Sequence, residues 1–239
     1  MKNIFFLLFL CGPTLLFGQS STPSISLQQS FSKFVQVANS PAYTGASMMA
    51  FSVKENTEGN PYFFNNWGSG RVYLSSKEAF NEPSDVLNFD KTNQALLLKI
   101  SEKEVIEVNM NEIDSFYIID SGKVYHFVKF TTEPVYALQL YRDSAYSAFK
   151  VVSTKFYKAD YVNKGLYESG YRYDRYLDKK TYYLKDSRGE NISLEKGEKK
   201  DLKKLAAKIP AINDFIKLNL NADDKDVYVT SLAKYLNSR

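Results

Sequence analysis

The sequence predicts an α+β fold: an antiparallel β meander, formed as a curled sheet, a sandwich or an open barrel, under a C-terminal cap of short amphipathic helices. Three observations predict it. Between Met48 and Leu194, short runs rich in valine, isoleucine, phenylalanine and tyrosine alternate with turn residues, the pattern of sequential strands joined by tight hairpins. Beyond Leu194 the rhythm changes to apolar residues three and four positions apart, with lysines between them, which is the pattern of helices laying one stripe on a core. No internal repeat of solenoid length runs through the 239 residues.

The chain opens with Lys2 and the apolar run Ile4–Leu10, continuing through Leu15, Leu16 and Phe17 to Gly18. Charge, length and composition predict a secretory signal peptide over 1–18, cut after Gly18. Gly12-Pro13 interrupts the run, so it is too short for a permanent anchor, and no later stretch is apolar enough to span a bilayer. Cys11 is the only cysteine. The mature chain is therefore cysteine-free and holds together without disulfides. Residues 19–45 read as a leader with a short helix, in which Leu27, Phe31, Phe34 and Val35 recur at helical spacing until Asn39-Ser40-Pro41.

A β-rich domain is predicted over 46–196. Its strands are expected at Met49–Val53, Arg71–Leu74, Ala95–Ile100, Val105–Asn109, Ser115–Ile119, Val124–Phe130, Val135–Tyr141, Phe149–Tyr157, Thr181–Lys185 and Ile192–Glu195. Glu102-Lys103, Ser121-Gly122 and Ser187-Arg188-Gly189 stand where hairpin turns belong. Residues 197–239 form a helical region packed on this domain. Leu202, Leu205, Ala206 and Ile209 make one stripe, and Pro210 starts a second element with Ile212, Phe215 and Ile216. Asp223 or Asp224 caps a third, whose stripe is Val229, Leu232, Ala233 and Leu236.

Several segments together resemble a known group. Asn60-Pro61-Tyr62-Phe63-Phe64-Asn65-Asn66-Trp67 leads into Gly70-Arg71-Val72-Tyr73-Leu74, then Leu87-Asn88-Phe89-Asp90, Ala95-Leu96-Leu97-Leu98-Lys99 and Lys180-Thr181-Tyr182-Tyr183-Leu184 ahead of the lysine-rich helix. The order resembles uncharacterised exported proteins of Bacteroidetes-type bacteria. The resemblance implies a periplasmic, outer-membrane-associated or secreted place in a Gram-negative envelope, and it carries no activity.

The residues available limit the chemistry. A single histidine, His126, excludes three-histidine zinc sites, and no metal or cofactor is called. His126 lies in Val124–Phe130 with Val124, Val128 and Phe130 on its own face, which predicts a half-buried ring rather than a catalytic base. Gly68-Ser69-Gly70 matches neither a dinucleotide loop nor a hydrolase elbow and reads as a flexible turn entering the next strand. Asp223-Asp224-Lys225-Asp226 lacks the glycine of a calcium loop and suits a helix N-terminus. The net charge of +4 is mild and no nucleic-acid motif appears.

That leaves the tyrosines. Six fall between Leu166 and Asp186. Tyrosine is a favoured strand residue, and it also grips sugars and peptides with a wet hydroxyl and an apolar ring. The sequence points to a non-catalytic exported protein acting through contact with an envelope protein or a polymer such as polysaccharide, with its oligomeric state left open. The alternative is a glycan- or small-ligand-binding protein using Trp67, Tyr167, Tyr171, Arg172, Tyr173, Arg175 and Tyr176.

Overall fold

The structure is a computed structural model that describes residues 57–102, 104–130, 135–165, 167–194, 199–218 and 224–239. The signal peptide, the leader helix and the Met49–Val53 strand expected above lie outside the described residues.

The first strand, β1 (Gly68–Leu74), turns at Lys77 into the long β2 (Ala79–Asp90). β2 was not expected, because Asn81-Glu82-Pro83-Ser84-Asp85 breaks the apolar alternation. The sheet tolerates it through a register irregularity between the pairs Gly70↔Glu82 and Gly68↔Leu87, which leaves Pro83, Ser84 and Asp85 exposed. A bulge is one of the few places where a sheet accepts proline. β3 (Ala95–Ser101) and β4 (Glu104–Glu107) follow. A one-turn 3-10 helix at Met110–Glu112 then returns the chain to β5 (Ile113–Asp120), which pairs with β1 rather than with β4. Ser121 and Gly122, with φ of 51° and 77°, close the two-residue hairpin to β6 (Lys123–Lys129). Such a loop wants positive φ at both positions.

β7 (Tyr136–Tyr141) and β8 (Tyr146–Tyr157) continue the ladder, and β11 (Arg175–Asp186) pairs with all of β8. Between them lie the two-residue strands β9 (Val162–Asn163) and β10 (Glu168–Ser169), and β12 (Asn191–Leu194) completes the set. Among the described residues the result is one ten-stranded antiparallel sheet that does not close, in the order β12-β11-β8-β7-β6-β5-β1-β2-β3-β4. Three helices come last: α1 (Lys199–Leu205), α2 (Ala211–Lys217) and α3 (Lys225–Asn237). Of the two aspartates considered as caps, Asp224 fills the role, accepting from the Asp226 backbone N–H at 2.8 Å.

Two large apolar clusters divide the sheet. The first draws Val72, Leu87, Phe89, Leu96, Phe116, Phe127 and Tyr136 from β1 to β7. Phe116 and Phe127 stack at 4.8 Å, and the Tyr136 hydroxyl lies 2.8 Å from the Met110 carbonyl and 2.5 Å from that of Ile113, tying the 3-10 turn to β7. The second joins Ala148, Tyr182, Leu184 and Leu194 of the sheet to Leu202, Ile212, Phe215 and the expected stripe Val229, Leu232, Ala233 and Leu236. The helices thus pack on one another and on the sheet, as their stripes require. A smaller cluster of Phe130, Ala137 and Phe149 lies with Val128, Val151 and Tyr183.

Polar contacts join the two halves. Asp90 accepts from the backbone N–H groups of Thr92 and Asn93 at 2.7 and 3.1 Å, shaping the β2–β3 turn. That turn meets the far half of β8 and β11: the Gln94 amide donates to the Val152 carbonyl at 2.9 Å. The Lys91 ammonium reaches both carboxylate oxygens of Asp178 at 2.9 Å, and the Thr154 hydroxyl also bonds Asp178. The segment before β1 spans the same gap. Glu58 exchanges backbone bonds of 2.8 Å with Asp174 and Tyr176, and Pro61 accepts from Lys91 at 2.9 Å.

Glu82 is a carboxylate that β2 carries into the sheet interior. It is only 6% exposed, and burial pushes its carboxyl above the usual range. A raised carboxyl favours the folded state below the ordinary glutamate pKa, and that contribution is lost as the pH rises through the raised value. Glu82→Gln should therefore be more stable than the parent at pH 7 and equal to it at low pH. The gain appears as a Tm increase of roughly 2–4 °C for each kcal/mol recovered. Thermal melts across the pH range check it; equal curves at every pH would show that the carboxylate is solvated in solution.

Candidate functional site: the end of the β8–β11 hairpin

Twelve residue pairs of β8 and β11 extend from Tyr146↔Asp186 to Tyr157↔Arg175. In the connection beyond, residues 158–165 and 167–174 are held by short polar bonds. Asp160 accepts from the Tyr171 N–H at 2.7 Å, Asp174 from that of Ala159 at 2.8 Å, and Asn163 from that of Gly165 at 2.8 Å. Gly170, at φ 83°, sits so close to the Asp160 carbonyl that no side chain fits. Aspartate and glycine here serve a compact loop rather than a ligand.

This loop presents its large side chains outward. Among the described residues ten large apolar side chains are exposed, and seven of them fall on this loop or on the strand ends beside it: Phe156, Tyr157, Val162, Tyr167, Tyr171, Tyr173 and Leu177. Single exposed apolar residues are ordinary, whereas a concentration of them is not.

The sequence-predicted residues separate into distinct environments. Tyr167, Tyr171 and Tyr173 are 59%, 51% and 47% exposed. Arg175 lays its guanidinium 3.1 Å from the Tyr171 ring centre and 5.5 Å from that of Tyr157. Arg172 stacks on Tyr161 at 4.7 Å and pairs with Glu168 at 2.9 Å. Tyr176 is half-buried against Phe156, with ring centres 5.0 Å apart. Trp67 stands elsewhere, just before β1, which is four strand positions from β8 in the sheet; the Lys99 ammonium lies 5.9 Å from its ring centre. Tyr182 and Tyr183 leave the cluster as well: one is buried beneath the helices and the other packs on Phe130 at 4.8 Å. Sequence reasoning did not single out Lys155, Phe156, Tyr157, Tyr161, Val162 and Leu177. The signal was legible in Lys155-Phe156-Tyr157, where a strand ends on two adjacent rings that cannot both face a core.

The chain was compared with protein-family models, with curated proteins and with solved structures. It matches none of them.

A second feature is a polar cleft of about 650 Å³ lined by Lys150, Asp178, Lys180, Tyr182, Asp224, Lys225 and Asp226. Its acids are engaged in holding the fold. Asp226 bonds Lys150 and accepts from the Tyr182 hydroxyl at 2.9 Å, Asp178 bonds Lys91 and Thr154, and Asp224 caps α3. Burial, then the bond to Asp226, holds the Tyr182 phenol above its ordinary range. The cleft therefore offers no uncommitted carboxylate pair for acid–base chemistry.

His126 occupies the half-buried setting its neighbours implied. Val128 and Phe130, from its own face, belong to the small third cluster, while Tyr125 and Phe127 turn to the first. Burial lowers its pKa, a side-chain bond to Gln139 opposes the shift, and Arg142 adds to it. Among the described residues no group of three or more histidine, cysteine, aspartate or glutamate side chains is placed to hold a metal ion. Gly68-Ser69-Gly70, read above as a flexible turn, lies within β1. The space decides it: a Cβ on Gly68 would collide with the Ile119 carbonyl and lie 2.6 Å from Ile118 Cγ2.

Proposed function

We propose that this is a non-catalytic exported envelope protein that acts by contact with a partner, and that the end of the β8–β11 hairpin is its contact surface. The observation that carries the reading is the gathering of seven exposed apolar side chains on that one hairpin. The export half rests on the apolar start of the sequence and on its resemblance to exported proteins of Bacteroidetes-type bacteria. We read the sheet as curled, since the β2–β3 turn and residues 58–62 bridge its two wings.

The glycan- or small-ligand reading called for Trp67 and the tyrosines around one concave surface. Trp67 is four strand positions from β8, and the polar cleft is lined by lysines and aspartates instead. A broad partner surface suits these rings better than a pocket.

The test is cross-linking of the tagged protein in its native envelope, with the Tyr171→Ala/Tyr173→Ala double variant beside it. Removing two exposed rings from a contact centre should lower partner recovery about tenfold or more, with the urea midpoint moved by no more than the loss of the Arg175–Tyr171 contact. Recovery of the same partner in equal yield would remove the hairpin from the interface.

A further inference from the structure

The outer face of the β8–β11 hairpin has a charge arrangement that the rings alone do not explain. Strand alternation puts the pairs Tyr157↔Arg175, Lys155↔Leu177 and Ser153↔Lys179 on one face. The intervening pair Thr154↔Asp178 lies on the opposite face, where Asp178 meets Lys91 and lines the polar cleft. These six positions thus carry three cations and no carboxylate, and exposed Glu58 is bridged beside Arg175 at their margin. The acids of the adjoining loop are consumed internally, Asp160 and Asp174 by backbone N–H groups and Glu168 by Arg172.

Cations and rings are also stacked in sequence. The Arg175 guanidinium lies over both the Tyr171 and Tyr157 rings, and the Lys155 ammonium lies 5.3 Å from the Tyr157 centre. Past this ladder, the loop ends in exposed Val162 and Tyr167.

We propose that this face docks on an anionic lipid surface, with Lys155, Arg175 and Lys179 meeting phosphate groups and Tyr157, Tyr167 and Leu177 entering the interfacial layer. The inference rests on the contact reading above and names its partner. Charge complementarity requires a polyanion, and the ring geometry selects among polyanions. A sugar chain stacks on a free ring face, and at Tyr171 and Tyr157 a cation competes for that place. Exposed tyrosines, with an apolar ring and a polar hydroxyl, suit the boundary between headgroups and acyl chains. Exposed aliphatic Val162 and Leu177 add apolar area that a charged polysaccharide would leave wet.

The experiment is flotation of the purified protein with vesicles of equimolar phosphatidylcholine and phosphatidylglycerol, against vesicles of phosphatidylcholine alone. Every protein carries the same N-terminus, so any lipid affinity of the first residues cancels between variants. The parent should float only with the anionic vesicles and be released by high salt. Each cation neutralised should weaken binding about fivefold, so Lys155→Glu/Lys179→Glu should not float, whereas Lys203→Glu/Lys204→Glu on α1 should behave as the parent. Val162→Ser/Tyr167→Ser should bind more weakly with charge unchanged. Equal flotation of parent and hairpin charge variant, or none by the parent, overturns the lipid proposal. Cross-linking of the same variants separates the two levels. If the parent does not float but Tyr171→Ala/Tyr173→Ala loses a captured protein or polysaccharide, the contact surface stands and lipid is not its occupant.

Discussion

Gly70→Ala should destabilise the chain by about 3 kcal/mol or more, an unusually large effect for one methyl group. The added Cβ would collide with the Tyr117 carbonyl oxygen of β5 and lie 3.1 Å from Leu87 Cδ1. Neither neighbour can yield cheaply. The carbonyl belongs to the backbone of a strand paired on both sides, and Leu87 is 1% exposed in the first cluster. A Gly122→Ala variant provides the scale. Its φ of 77° disfavours any side chain, yet nothing lies within 4 Å of the new carbon, so its cost stays near 1 kcal/mol. Urea unfolding of both separates crowding from backbone strain. Equal midpoints would mean that β1 and β5 can spread apart freely.

Lys150→Met should cost roughly 2–4 kcal/mol, because it leaves Asp226 without its cation beneath the edge of α3. The Lys150 and Asp226 side chains are 10% and 33% exposed, and the water at Asp226 keeps the figure below that of a fully enclosed pair. The aspartate would keep only the Tyr182 hydroxyl and its place in the first turn of the helix. Lys150→Met/Asp226→Asn should recover most of the loss, since it removes the orphaned charge and keeps an oxygen for Tyr182. A double variant as unstable as the single one would show that the lysine stem, not the ion pair, anchors α3.

Strand and helix positions were legible where periodicity was clean. The Val229, Leu232, Ala233 and Leu236 stripe is fully buried, and Ser121-Gly122 makes the turn its composition promised. β2 was illegible because Pro83, Ser84 and Asp85 lie in an irregularity that only the pairing with β1 reveals. The role of Gly68 and Gly70 was hidden for a related reason. Glycine that relieves crowding and glycine that makes a turn look alike until the neighbouring strand is placed. At the candidate site, Tyr171, Arg172, Tyr173 and Arg175 were visible as a run, but their separation from Trp67, Tyr182 and Tyr183 depends on strand order. The polar cleft was not visible at all, since Lys150, Asp178 and Asp226 are distant in sequence.

The position of β1 in the middle of the sheet has a consequence for biogenesis. One side of β1 can pair with β2 as soon as that hairpin is synthesised, but the other must wait for β5, which follows β2, β3 and β4 in the chain. Until then Val72 and Tyr73 stand on an unpaired edge, the kind that recruits strands from other molecules. Refolding yield should thus fall with protein concentration, and in synthesis the vulnerable interval ends when Ile113–Asp120 arrives.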